Sequence, residues 1–123
     1  MVYCFRMTES EFWDRLEFRI CTELQGSPQK PLNWLWCDGL VADRYEFTAD
    51  PPRIEGRAWF GQTGNEQWTF TLTLPRAIHS MDDIDWTTLM PAQDDHGWLR
   101  VDEARKVLRI NATMSQLQIE ENG

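Results

Sequence analysis

Residues 53–60, RIEGRAWF, and residues 68–74, WTFTLTL, joined by GQTGNEQ at 61–67, decide the fold. In the second run Trp68, Phe70, Leu72 and Leu74 alternate with Thr69, Thr71 and Thr73, the period of two that marks a half-buried strand. With a turn centred on Gly64, the expected partners are Phe60 with Trp68, Ala58 with Phe70, Gly56 with Leu72 and Ile54 with Leu74. One face of this hairpin is then apolar. The other carries Glu55, Arg57 and Trp59 against the three threonines. Small Gly56 and Ala58 opposite large side chains leave a trough in which a helix can lie, with Phe12 or Trp13 over it.

That helix is predicted over Glu9 to Gln25. Thr8 and Glu11 have capping-box spacing, and Met7 with Phe12 has the spacing of a hydrophobic staple. Phe12, Trp13, Leu16, Ile20 and Leu24 form one stripe, and Gly26 followed by Pro28 supplies a stop. Phe18 falls outside the stripe, where it meets a later segment or another chain.

Two further strands extend the sheet upstream and two downstream. LNWLWC at 32–37 and VADRYEF at 41–47 flank Asp38-Gly39, a turn or bulge, and a turn through Ala49 to Pro52 pairs Phe47 with Ile54 and Tyr45 with Gly56. Beyond Pro75 an irregular stretch contains one turn capped by Asp85. A second hairpin then sets Leu99 against Ile110 and Val101 against Leu108. VYCF at 2–5 has the makings of a short strand, and the tail beyond Ala112 is loosely attached. The expected architecture is one α+β domain over residues 1–123, a long N-terminal helix on a mostly antiparallel meander of about five strands.

Composition narrows the function. The 123 residues carry a net charge of −8, and only Arg105 and Lys106 form an adjacent basic pair, which argues against nucleic acid. No apolar run approaches membrane-span length, and MVYCFRMTES lacks a signal peptide's basic flank and apolar core, so a cytoplasmic, non-membrane protein is expected. Cys4, Cys21 and Cys37 are odd in number and form no CxxC, which favours reduced, buried thiols.

No stretch carries the motif of a family with a known activity, and no cofactor is expected. The size and acidity are similar to those of small immunity and anti-toxin proteins, a likeness of composition alone. Asp82, Asp83 and Asp85, and Asp94, Asp95 and His96, do not have calcium-loop spacing and read as solvated loops and caps. A hydrolase built on both clusters ranks third among the functions considered.

The aromatic supply points to binding. Seven tryptophans exceed what a small core readily holds. Trp59 with Arg57 on the outer sheet face, together with Trp34 and Trp36, form the candidate binding set for a protein partner, a basic one given the chain's acidity, with the chain itself a monomer or homodimer. The rival reading is a small-ligand module whose tryptophans line a concave pocket.

Overall fold

The computed structural model describes residues 7–25, 37–60, 66–92 and 97–114. The elements in order are α1 (Glu9–Gln25), β1 (Cys37–Glu46), β2 (Arg53–Phe60), β3 (Glu66–Thr73), a 3-10 turn (Met81–Asp83), β4 (Leu89–Pro91), β5 (Leu99–Asp102) and β6 (Val107–Met114). The chain is therefore α+β, with one helix and a six-stranded sheet among the described residues. VYCF, the Gly26–Pro28 stop, the strand residues before Cys37 and the tail from Ser115 lie outside the described residues.

Local chemistry sets the helix start. The Glu11 amide donates to Thr8 Oγ1 at 3.2 Å, and Glu11 Oε1 accepts from the Thr8 amide at 2.8 Å, the reciprocal bonds of a capping box. Glu9 and Glu11 also place negative charge at the positive end of the helix dipole. Phe12, Trp13, Leu16 and Ile20 are buried along one stripe, while Phe18 is 74% exposed.

The strand order is β1-β2-β3-β6-β4, with β5 also paired to β6. Neighbours are antiparallel except for β3 and β6, which run parallel from Thr69↔Val107 to Thr73↔Asn111. This corrects the expected meander to a mixed sheet. The connection between β3 and β6 is long enough for a crossover, and its Ile78, Ile84 and Leu89 are anchored in the core. β4, three residues paired at Leu89↔Met114, was not foreseen from the sequence.

Both upstream registers differ from expectation by two residues. In the central hairpin Ala58 lies opposite Trp68, Gly56 opposite Phe70 and Ile54 opposite Leu72, and Phe60 faces Glu66 instead of Trp68. The strands end at Phe60 and resume at Glu66, which centres the connection one residue before Gly64. In the preceding pair Tyr45, not Phe47, faces Ile54, because the strand stops at Glu46 and Phe47 begins the turn. A two-residue shift preserves the faces, so Ile54, Ala58, Trp68, Phe70 and Leu72 are buried as the alternation requires. The second hairpin has the expected pairs, Leu99↔Ile110 and Val101↔Leu108.

Packing on the inner face corrects one more detail. The trough at Gly56 is occupied by Phe70, whose Cε2 lies 2.8 Å from where a Cβ on Gly56 would stand. The helix rests on that ring: Trp13 meets Phe70 at 5.5 Å between centroids, and Phe12 and Trp86 pack beside it at 5.1 Å and 6.2 Å from Trp13. Glu9 accepts hydrogen bonds from Trp13 Nε1 at 3.0 Å and from the Tyr45 hydroxyl, which ties the first helical turn to β1. Burial, then the bond to Glu9 and its negative charge, push the Tyr45 phenol above its ordinary value. All buried apolar residues join one continuous core.

Candidate functional site

The outer face of β1, β2 and β3 follows from the same alternation that builds the core. Opposite the buried residues, β2 presents Arg53, Glu55, Arg57 and Trp59, and β3 presents Thr69, Thr71 and Thr73. Two irregularities in β1 shape this face. The first lies between Cys37 and Leu40 and contains Gly39 at φ 153°, a conformation that glycine adopts readily. Of the turn or bulge expected at Asp38-Gly39, it is the bulge, since β1 continues through it. The bare Gly39 backbone lies beside Trp59, whose Cε3 is 3.7 Å from where a Cβ would stand. The second bulge lies between Ala42 and Arg44, and its extra residue is Asp43.

Asp43 grips Arg57 with a fork, Nε to Oδ2 at 2.8 Å and Nη2 to Oδ1 at 2.9 Å. The held guanidinium lies over the Trp59 ring, 5.4 Å from its centroid. Next to them Arg44 bridges Glu46 at 3.1 Å and Glu55 at 2.8 Å, and Arg53 bridges the same carboxylates at 3.1 Å and 3.2 Å. The Arg53 Nε contact to Glu55 is close but lacks hydrogen-bond alignment, so it counts as an ion pair only. Three arginines thus match three carboxylates, and this part of the face is balanced within an acidic chain.

The hydrogen bond from Arg57 holds the Asp43 carboxyl below its ordinary value of 3.8, and that from Arg44 holds Glu55 below 4.5. The two arginines are correspondingly raised. A folded-state value below the unfolded one contributes stability above the ordinary value, and that contribution disappears as pH falls through the lowered one. Acid unfolding will therefore steepen below about pH 4, the unfolded carboxylate range. Arg57→Gln will flatten the dependence of the urea midpoint on acidity between about pH 5 and pH 2, and an unchanged slope would show that the fork contributes nothing in solution.

Among the described residues the face presents groups suited to binding. The Asp43, Glu46 and Glu55 carboxylates are engaged by arginines. The Asp-rich turn is likewise committed: Asp83 accepts from the His79 amide at 2.9 Å, and Asp85 accepts from the Thr87 amide at 3.0 Å, as turn caps do. Among the described residues no group of three His, Cys, Asp or Glu side chains is placed to hold a metal ion. Asp94, Asp95 and His96 lie outside them.

Of the candidate binding residues, Arg57 and Trp59 are brought together, and both are partly exposed. Trp34 and Trp36 lie outside the described residues. Sequence reading missed Asp43, because its orientation depends on a bulge that alternation does not reveal. No described helix is long and apolar enough to cross a membrane. No family model matches the chain, and no curated protein or solved structure matches it either.

Proposed function

We propose that this domain acts by binding a protein partner through the outer sheet face around Trp59 and Arg57. The observation that carries the reading is a partly exposed tryptophan under a clamped arginine on a face that no described element covers. The helix stripe, Ile78, Ile84 and Trp86 all pack on the opposite side. A fixed aromatic ring beside an oriented guanidinium gives contact area at small entropic cost, which is the chemistry of an interface hot spot.

The surrounding relief favours a protein over a small ligand. In the depression beside Arg57, Asp43, Arg44, Glu55, Thr69 and Thr71 form the lining with Gly56 and Phe70, and Trp59 is not part of its wall. A net charge of −8 attracts a basic partner from a distance, whereas the balanced face makes the contact. The reading includes a cytoplasmic setting, supported by cysteines that form no paired spacing in the sequence.

The test is affinity capture from native extract with wild type and Trp59→Ala, followed by titration of the captured protein. Trp59→Ala should weaken binding at least about ten-fold, the loss of one hot-spot residue. Because Trp59 is only partly buried, the thermal midpoint of the variant serves as the folding control. Unchanged affinity with intact folding sinks the proposal. Association with a basic partner should also slow as salt is raised.

A further inference from the structure

On the other side of the molecule an apolar groove of about 550 Å³ runs between α1 and β4. Phe12, Leu16 and Phe18 form one wall, and Leu89, Met90 and Pro91 form the other. Met7 also lines it, held by its backbone N–H donating to Thr87 Oγ1 at 2.8 Å. Phe12, Leu16 and Leu89 are buried and make the floor, whereas Phe18 stands exposed at the rim.

The groove also carries charged groups. Arg15 and Arg19 line it one helical turn apart, together with Asp14. Neither arginine is in an ion pair among the described residues, as is also true of Arg100 and Arg109, whereas Arg44, Arg53, Arg57, Arg76, Arg105 and Lys106 each reach a carboxylate. Arg15 donates to the Met7 sulfur at 4.0 Å, and Arg19 lies over Trp98 at 5.7 Å. In a protein of net charge −8, two guanidiniums against the one carboxylate of Asp14 among the described lining residues leave this apolar opening locally positive, an anion-attracting rim.

We infer that this groove binds a free linear carboxylic acid, its chain along the Phe12–Leu16–Leu89 floor and its carboxylate against Arg15 and Arg19. The volume lies within the range of about 300–1,000 Å³ typical of small-molecule sites. Met7 and Met90 supply flexible side chains that adapt to an alkyl chain. A second copy fits less well, since each chain is strongly acidic and the two arginine pairs would face each other.

The test is calorimetric titration with dodecanoate below its micelle concentration, beside 1-dodecanol and vesicles of phosphatidylglycerol. Dodecanoate should bind one to one, and dodecanol at least ten-fold more weakly. The exposed double variant Arg15→Gln/Arg19→Gln should lose at least ten-fold for the acid, Met90→Trp should block it, and Arg105→Gln, away from the groove, should leave it unchanged. Amide shifts in NMR spectra should cluster at Phe18 and Met90. Equal affinity for acid and alcohol, no effect of the double variant when it remains folded, binding to vesicles but not to free acid, or no saturable binding would each overturn the inference. So would dimerisation that Phe18→Ser abolishes in a protein that takes up no acid.

Discussion

Gly56→Ala will destabilise the protein by about 3 kcal/mol or more, the upper reach of overpacking effects. A Cβ at this position would stand 1.9 Å from the carbonyl oxygen of Val41, and 2.8 Å and 2.9 Å from two atoms of the Phe70 ring. The ring can turn aside, but the carbonyl belongs to the paired backbone of β1 and moves only if β1 and β2 separate. A second substitution, Phe70→Leu, should therefore recover little of the loss. Equilibrium urea unfolding of the single and double variants measures both quantities. A cost below about 1 kcal/mol, or near-complete recovery in the double variant, would show that β1 yields easily at this point.

Phe70→Ala should cost about 3–5 kcal/mol, the range for removing a buried aromatic ring. Phe70 is 1% exposed, fills the space over Gly56, supports Trp13 at 5.5 Å and lies opposite Leu108 in the parallel pair. Its removal undermines the helix contact and the junction of β3 with β6 together, so the surroundings have little freedom to collapse into the cavity. The shift in urea midpoint at constant slope reads the effect. A change under about half a kcal/mol would place Phe70 outside the effective core.

The helix and the faces of the central strands were legible because their causes are local. Thr8 and Glu11 bond to each other across one turn, and the Trp68–Leu74 alternation is a property of a single strand. Register was not legible. A period of two assigns a residue to a face but does not separate it from the residue two places along, and the ends of the turns decide that choice. Gly64 and the Ala49–Pro52 run each suggested a turn centre one residue later than the pairing has it. β5 and β6 were paired correctly because little chain separates them, whereas nothing local identifies β3 as the other neighbour of β6. The candidate site divides in the same way. Arg57 and Trp59 share a face by counting, but Asp43 reaches them only through a bulge, and the groove showed itself in sequence solely as Phe18 on the wrong side of its helix.

The parallel junction also has a kinetic consequence. The β2–β3 and β5–β6 hairpins can each zip from their own turns within microseconds. Joining Thr69 to Val107 instead requires the intervening chain to close a large loop before any contact rewards it. Formation of this junction is therefore expected to set the folding rate. Truncating Leu108 should mainly slow refolding, while truncating Val101 at the margin should mainly speed unfolding. Equal partition of the two effects in stopped-flow measurements would remove the junction from the rate-limiting step. If it is that step, the two halves of the sheet meet as partly formed bodies, and the exposed margins of β3 and β6 are the surfaces at risk of pairing with another chain while they wait.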